Sequence, residues 1–467
     1  MNRYAYRGYL EQDGNLYILK DMNGRILSYL EFSLEENITY DDLVRMLHMP
    51  YISYQHRICV LNPDDSVCYQ IPFEDIPDDG ISYDESLQDG QRRKLSVKLI
   101  NKDGKYTPTV NSQQGYYSMF YGSIEEDDVS FLGQQKNYKR NTNYKRNVVW
   151  GSIKMSYDIG LKINETDYIW FKKGVYRVSN IGVTEEDSNR EINISLNDKF
   201  SIFEGNTGKI LMSTEIPVGS DCRLIIKDLL NEDFGDGYSY DMLEPIFDES
   251  LIGIKTSVLI RKEMGDTKAS IIQDVATQMN ASYYYNECGR LTFVPIQDEL
   301  RDEVKAVSWV YEPKYMDLIN IQNEYDMDSA INMIKVVGDN MGDSVSYALV
   351  VNNDSRSSIC VGQIGKRLGD TITDASVWSD SMAFDVGRYY LRKNSINVLK
   401  TSLQAKLNPL IEINKLIDVI HEVFEFDRQK FIVSGISWTS NSYQMSISTT
   451  NIQNLSFLKA GDNGYVY

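Results

Sequence analysis

The residues best suited to catalysis or metal binding are scarce in this chain. Only three histidines occur among the 467 residues, and they are His48, His56 and His421. A serine–histidine–aspartate triad needs a histidine beside its nucleophile, and many zinc sites need two or three. His421 and Glu422 begin an H-E-x-x-H pattern, but Glu425 stands where a zinc protease requires its second histidine. The histidines therefore indicate neither a catalytic triad nor a metal centre.

Two other short patterns resemble enzyme motifs without the residues that complete them. The triplet Asp-Phe-Gly at 233–235 occurs in protein kinases, but this sequence lacks their glycine-rich loop, strand lysine and H-R-D loop. Residues 231–241 are rich in oxygen ligands, but Gly235 falls where an EF-hand loop needs a ligand. We therefore interpret 231–241 as a solvated loop. The glycine cluster Gly362, Gly365 and Gly369 has neither the G-x-G-x-x-G spacing of dinucleotide-binding proteins nor the spacing of a P-loop, so it does not indicate nucleotide binding.

Carboxylates and cysteines also fail to define a site. With 67 aspartates and glutamates, no glycosidase pair can be chosen, because only spatial separation defines such a pair. The cysteine number is odd and no C-x-x-C spacing occurs, which disfavours a disulfide framework and a zinc ribbon. The five cysteines are Cys59, Cys68, Cys222, Cys288 and Cys360. We predict no catalytic, cofactor-binding or metal-binding residue, no cofactor, and a protein that is not an enzyme.

The most unusual local feature is a basic and aromatic repeat. The pentapeptide NYKRN at 137–141 recurs at 143–147, and with the preceding lysine it gathers five positive charges and two tyrosines. Such a pattern can grip single-stranded nucleic acid. In a chain this acidic we favour an exposed loop that meets an acidic neighbouring subunit. The candidate subunit-interface residues are Lys136, Tyr138, Lys139, Arg140, Tyr144, Lys145 and Arg146.

Charge and composition exclude several broad classes. Lys and Arg number 48 against 67 Asp and Glu, so the net charge of -19 argues against general affinity for DNA or RNA. Hydrophobic residues at 42% and charged residues at 25% indicate a folded chain. No stretch of about 18 apolar residues predicts a membrane span, and residues 1–12 lack the apolar core of a signal peptide. The cysteine usage indicates assembly in a reducing cytoplasm.

Strand patterns dominate most of the sequence. In residues 94–100 (KLSVKLI), Leu95, Val97 and Leu99 fall on one face, and a turn at 101–104 follows. Thr267 can cap a helix that begins near residue 268, and a hairpin follows that helix. The fold class is therefore mainly β with an α+β insertion.

Five segments follow from these patterns. We predict an N-terminal α+β docking domain (1–85), a first β-barrel (86–212), an inserted α+β domain (213–300), a second β-barrel (301–458) and a flexible tail (459–467). Residues 75–89 are acidic and rich in turn formers, so we interpret them as a linker.

The order of motifs in the first half resembles the hub proteins of phage tails and baseplates. Residues 93–108 (RKLSVKLINKDGKYTP) are similar to the opening of the hub barrel, and 173–179 (KGVYRVS) to its G-V-aromatic-x-V-S strand. Residues 192–200 (INISLNDKF) are similar to its closing strand. Residues 268–293 resemble the inserted α+β domain with its I-I-x-D-V-A helix and G-R-L-x-F strand.

The C-terminal third resembles a second hub barrel. Residues 320–340 contain I-N-x-I-K-V-x-G-D-N, and 383–393 contain the helix pattern A-x-x-x-G-R-Y-Y-L. Residues 408–413 match N-P-x-I-E-I, and 430–438 with 444–450 resemble the terminal strands. The resemblance covers residues 86–458, approximately. The hub class that it points to includes the N-terminal hub part of tail-associated lysins.

This resemblance implies a structural role at the tail tip. It implies two hub-type β-barrels related to tail tube domains, and a homotrimer that forms a pseudo-sixfold ring. The expected partners are the tail tube or distal tail protein, the spike or receptor-binding proteins, and genomic DNA that passes through the lumen without specific binding. The expected location is the virion, after assembly in the host cytoplasm.

Three functions remain open at this point. The first is the structural hub. The second is a tail-associated cell-wall hydrolase, which a clear nucleophile or zinc ligand set would favour. The third is a carbohydrate-binding module, either at the tail tip or in a secreted protein, although the missing signal peptide counts against secretion.

Overall fold

The computed structural model describes most of residues 8–451. Within the described residues the chain is mainly β-strand and has five α-helices, so the predicted fold class is confirmed. The described residues are 8–33, 38–62, 64–101, 106, 109–111, 116–118, 154–186, 189–235, 238–296, 307–325, 328, 330–340, 345–353, 355, 357, 359–374, 377–396, 399–424 and 426–451.

The N-terminal part contains twelve strands and one helix. The strand Arg93–Ile100 buries every second side chain, as KLSVKLI predicts, because successive side chains of a strand point to opposite faces. The elements are β1 (Gly8–Asp13), β2 (Leu16–Asp21), β3 (Ile26–Phe32), α1 (Tyr40–Leu47), β4 (Tyr54–Leu61), β5 (Val67–Gln70), β6 (Ile81–Ser86), β7 (Arg93–Ile100), β8 (Thr109–Asn111), β9 (Tyr116–Ser118), β10 (Lys154–Lys162), β11 (Tyr168–Glu186) and β12 (Asn189–Asp198).

The middle part has its own hydrophobic core, built around two helices. The Thr267 hydroxyl accepts a hydrogen bond from the Ser270 amide and caps the second helix, as the sequence predicts. Asn280 ends that helix with a left-handed φ of 52°. The elements are β13 (Thr214–Ile216), α2 (Cys222–Asn231), β14 (Asp233–Gly235), β15 (Tyr238–Ser239), β16 (Ile246–Phe247), β17 (Ile260–Lys262), α3 (Lys268–Met279), β18 (Ala281–Tyr285) and β19 (Leu291–Pro295).

The C-terminal part returns to strands and carries the longest helix. That helix packs its Leu391 against Ile334 and Val350 of a small three-stranded sheet. The elements are β20 (Val307–Tyr311), β21 (Leu318–Tyr325), β22 (Met333–Asn340), β23 (Val345–Val351), α4 (Val361–Ile364), β24 (Ile372–Thr373), α5 (Asp380–Ile396), β25 (Leu399–Lys406), β26 (Leu416–His421), β27 (Phe426–Thr439) and β28 (Gln444–Asn451).

One sixteen-stranded sheet unites the N-terminal and C-terminal parts. Its main path runs β1-β2-β3-β11-β12-β7-β6-β27-β28-β25-β21. The link is the antiparallel pairing of β6 with β27, which sets Tyr83 opposite Trp438. The rings of these two residues stack with centroids 3.9 Å apart, and the Trp438 indole donates to the Tyr157 hydroxyl at 3.3 Å. One core cluster therefore runs through both strand groups.

The linker interpretation of residues 75–89 is wrong for their central part. Residues 81–86 form β6, which pairs with β7 on one side and with β27 on the other. Ile81, Tyr83 and Glu85 are buried, so alternate positions of this acidic segment face the core. The acidic composition hid the strand because its third buried position is the acidic Glu85, after Ile81 and Tyr83.

The N-terminal residues also contribute to this sheet and core. Strand β4 pairs with β10 over eight positions, and α1 buries Leu43 and Leu47 in the shared core. The Tyr54 hydroxyl donates to the Leu407 carbonyl at 2.7 Å, which ties the N-terminal strands to the C-terminal part. The proposed division at residue 85 stays a prediction.

Candidate functional site: buried ion pairs between the parts of the chain

The predicted subunit-interface residues lie outside the described residues. They belong to positions 119–153, so their role at an interface stays a prediction. These residues are Lys136, Tyr138, Lys139, Arg140, Tyr144, Lys145 and Arg146.

The three histidines lie in separate environments. His48 Nδ1 is 2.6 Å from Asp317 Oδ2, between the end of α1 and the C-terminal part. His56 Nδ1 is 2.9 Å from the Tyr157 hydroxyl, and burial lowers the pKa of His56 to about 4. His421 is the last residue of β26. Among the described residues, no group of three His, Cys, Asp or Glu side chains is placed to hold a metal ion.

A buried arginine joins the N-terminal strands to the middle part of the chain, which is the inserted α+β part. Arg93 on β7 places its Nε 2.7 Å from a carboxylate oxygen of Glu85 on β6. Its Nη2 lies 2.6 Å from Glu287, which belongs to the turn between β18 and β19. Its Nη1 donates to the Tyr285 carbonyl at 2.8 Å. The planar guanidinium thus binds both parts of the chain with three separate nitrogens.

A buried lysine extends this cluster to the C-terminal part. Lys173 on β11 donates to the Pro409 carbonyl at 2.7 Å and lies 3.8 Å from Glu412. Lys415 pairs with the other oxygen of Glu412 and donates to the Leu27 carbonyl. We call the six charged residues of this cluster the barrel junction: Glu85, Arg93, Lys173, Glu287, Glu412 and Lys415.

Burial and neighbouring positive charges have opposite effects on the pKa values of Glu287 and Glu412. Burial alone raises the pKa of Glu287, but Arg93, Lys415 and Lys173 outweigh it and lower that pKa. For Glu412, burial has the larger effect and raises its pKa despite Lys415 and Lys173. Glu287 is therefore held as a carboxylate, and Glu412 is the junction group more easily protonated.

A second buried cluster, which we call the insertion clamp, also joins the N-terminal strands to the inserted part. Lys199 follows β12, and its ammonium lies 2.8 Å from Asp241 Oδ1 and 2.5 Å from Asp65 Oδ2. The Tyr285 hydroxyl donates to the other Asp241 oxygen at 2.7 Å, and Lys154 pairs with Asp65. Burial would lower the pKa of Lys199, but Asp241 and Asp65 raise it overall.

The solvated-loop interpretation of 231–241 is therefore wrong at its last residue. The side chain of Asp241 is fully buried, because it faces Lys199 and Tyr285 rather than water. Asp233 lies in the short strand β14. The burial of Asp241 was not visible in the sequence, since its partner Lys199 is 42 positions away.

A third cluster ties the N-terminal strands to β10 and β11. Arg57 binds both oxygens of Glu31 at 2.9 Å, and it lies 2.7 Å from Asp158. Lys172 contacts the same two acids. Burial opposes the charge on Glu31, but Arg57 and Lys172 lower its pKa to about 2. The Arg57 guanidinium also lies 4.3 Å from the centre of the Trp170 ring.

These clusters suit positioning rather than chemistry. Each of these charged groups lies beside an opposite charge within the described chain, and most of their side chains are buried. A buried ion pair contributes little net stability, but removing one partner is costly, so such pairs favour one arrangement over others. The clusters therefore fix how the two strand groups and the insertion sit against each other.

The sequence carried a weak signal for these residues. Arg93 and Lys173 occupy positions of strands β7 and β11 whose neighbours on the same face are apolar. A charge on a buried strand face needs a partner. The partners themselves could not be found, because Glu287 is 194 positions from Arg93 and Pro409 is 236 positions from Lys173.

Comparison with solved structures finds tail proteins. The 43 kDa tail protein of prophage MuSo2 from Shewanella oneidensis matches with a TM-score of 0.52 and 15% identity, covering 86% of this chain and 99% of that protein. A tail protein from Neisseria meningitidis matches with a TM-score of 0.49 and 9% identity, covering 85% and 97%. No protein-family model and no curated protein matches the sequence. The chain therefore has a tail-protein fold, which confirms the predicted resemblance at the level of fold.

Proposed function

We propose that this chain is a structural hub protein at the tail tip or baseplate of a tailed phage. The observation that carries the proposal is the fold shared with the Shewanella prophage tail protein over nearly that whole protein. The buried ion pairs support it, because a hub must hold its two barrels in a constant relative orientation. The virion location and assembly in the host cytoplasm belong to the same proposal.

The proposed assembly is a homotrimeric ring with pseudo-sixfold symmetry. Each chain brings two strand groups joined along β6 and β27, so three chains bring six. Among the described residues, β1, β5 and β21 each pair with one strand in the large sheet, which leaves a second edge to meet a neighbour. The basic segment 136–146 is proposed to contact an acidic surface of the next subunit.

The ring is proposed to join the tail tube to the spike or receptor-binding apparatus and to let DNA pass. Each chain carries a formal charge of -19, so a trimer is strongly acidic. Acidic side chains on the inner wall would repel the DNA phosphates and prevent adhesion during ejection. A neutral or basic inner wall in an imaged assembly would contradict this part of the proposal.

The mass of the purified protein in solution tests the assembly directly. Multi-angle light scattering at several concentrations should give three times 53.7 kDa, or about 161 kDa. Electron microscopy of that species should show a ring with a central channel. A protein that stays monomeric alone and also with its tail tube and spike partners would overturn the proposal. Wall-degrading activity in a zymogram would favour the hydrolase alternative instead.

No described helix is long and apolar enough to cross a membrane.

A further inference from the structure

A polar cleft lies where the β27–β28 turn meets the N-terminal strands. Its volume is about 340 Å³. Asp78 is its one charged lining residue, so the cleft suits neither an anion nor a multiply charged cation. The polar side chains that line it and are used below are Gln55, His56, Asp78, Asn441, Ser442 and Tyr443.

The hydrogen bonds behind His56 define which ring nitrogen faces the cleft as a donor. The Tyr157 hydroxyl oxygen accepts from the Trp438 indole at 3.3 Å, and it lies 2.9 Å from His56 Nδ1. No other acceptor for the Tyr157 proton is found in the described residues, so this hydroxyl donates to Nδ1. The neutral ring then carries its own proton on Nε2. Burial lowers the pKa of His56 to about 4, so this neutral form persists at neutral pH.

The neighbouring groups offer a mixed set of donors and acceptors. Asn441 Oδ1 accepts from the Thr439 hydroxyl at 2.7 Å, which leaves its amide hydrogens for a ligand. The Ser442 hydroxyl accepts from the Gln444 amide at 3.2 Å and keeps its proton. Within the described chain, the Gln55 amide and the Asp78 carboxylate have no side-chain partner. Adjacent hydroxyl groups of a ligand both donate and accept, so they match this set.

An exposed aromatic ring stands at the same cleft. The Tyr443 side chain is 62% exposed, although its backbone carbonyl is held by the Leu407 amide at 2.8 Å. A fixed backbone with a free ring provides a flat apolar face beside polar groups. The C–H face of a sugar ring has the complementary character, since it is apolar on one side and hydroxylated at its edge.

We propose that this cleft binds a neutral saccharide of one or two rings, with Tyr443 stacked on one ring and the hydroxyls held by Gln55, His56 and Asn441. Binding of this kind goes beyond the hub function and does not depend on it. At the tail tip, such a cleft would place a weak glycan contact beside the proposed ring. A volume of about 340 Å³ accommodates a ligand of this size.

Saturation-transfer difference NMR on the full-length protein tests the proposal. The probes are glucose, galactose, N-acetylglucosamine and the disaccharides lactose, cellobiose and chitobiose, each at millimolar concentration. We expect at least one probe to bind with a Kd of order 1 mM. Tyr443→Ala should weaken it about fivefold or more through loss of stacking, whereas Tyr443→Phe should retain most of the affinity.

The matched control is Tyr51→Ala, because Tyr51 is 93% exposed and does not line the cleft. Its saturation-transfer signals should equal those of the unchanged protein. Gln55→Ala should also weaken binding, and circular dichroism should show that each variant is folded. Absence of signal from all six probes would overturn the proposal, and so would equal signals from the Tyr443→Ala and Tyr51→Ala variants.

Discussion

Replacing Lys199 by methionine removes the positive charge at the centre of the insertion clamp. Lys199 is 1% exposed and Asp241 is fully buried, with the ammonium and carboxylate 2.8 Å apart. At an effective dielectric constant of 20, Coulomb attraction at this distance is about 6 kcal/mol. Part of it offsets the cost of removing both charges from water.

The substitution leaves the buried Asp241 carboxylate with two neutral donors, the Tyr285 hydroxyl and the Leu243 backbone amide. Breaking a buried pair by removing one partner costs about 3–5 kcal/mol, because the remaining charge is uncompensated. For a cooperative unit of 150–250 residues, each kcal/mol lowers the unfolding midpoint by about 2–4 °C. We therefore expect Lys199→Met to lower the midpoint by roughly 6–20 °C in differential scanning calorimetry.

The same substitution at a surface pair is the matched control. Lys227 lies 2.6 Å from Glu244, but the two side chains are 40% and 63% exposed. Exposed pairs of this kind contribute about 0.2–1 kcal/mol, so Lys227→Met should move the midpoint by at most a few degrees. The variant Lys199→Met/Asp241→Asn should regain part of the loss, because asparagine is neutral and still accepts from Tyr285.

Two results would refute this reasoning. One is a Lys199→Met midpoint as close to that of the unchanged protein as the Lys227→Met midpoint. The other is a double variant that is less stable than Lys199→Met, since that would mean Asp241 is stabilising without its partner. The pH dependence gives a further check: the raised pKa of Lys199 contributes stability below about pH 10, lost as the pH rises through the folded pKa.

Two further substitutions test other parts of the same region. Burial raises the pKa of Asp198 to about 6, so the folded protein loses stability as the pH rises from about 4 to 6 and this carboxyl group ionises. The neutral variant Asp198→Asn avoids this loss. Its calorimetric midpoint should exceed that of the unchanged protein at pH 8, by an amount worth about 3 kcal/mol, and should nearly equal it at pH 4. The same midpoint difference between the Asp198→Asn variant and the unchanged protein at pH 4 and at pH 8 would contradict this prediction. Gly289 has a φ of 74°, and a Cβ there would lie 2.7 Å from Val175 of β11, whereas Gly253 has a φ of 82° and open space around it. Gly289→Ala should lower the midpoint more than Gly253→Ala, because only the first adds a clash to the backbone strain, and equal midpoints would show that the contact with Val175 is not tight.

Local structure could be predicted closely from the sequence. The predicted cap at Thr267, the strand faces of KLSVKLI and the helix pattern at 383–393 correspond to α3, β7 and α5. These features depend on the nearest few residues, since a helix cap needs a partner three positions away and a strand face needs a period of two. The order of these elements also carried the resemblance to tail hub proteins.

Local sequence patterns could not predict how long a strand is or which strands it pairs with. The strand motif KGVYRVS covers only residues 173–179, yet it lies within the nineteen-residue β11. This strand pairs with β10 over residues 168–177, with β12 over 176–186 and with β3 over 169–171. A strand's extent is set by the neighbours that accept its hydrogen bonds, and neighbours are a tertiary property.

The sequence alone determined the fold class and the type of those elements whose pattern is local, such as α3 and β7. It could not decide which charges are buried, because burial depends on parts of the chain that lie far apart. Asp241 appears in a polar stretch but meets Lys199, and Glu287 appears in a turn but meets Arg93 across 194 positions. Only the packing of the middle part against the N-terminal strands brings these charges together, and their burial makes each partner necessary.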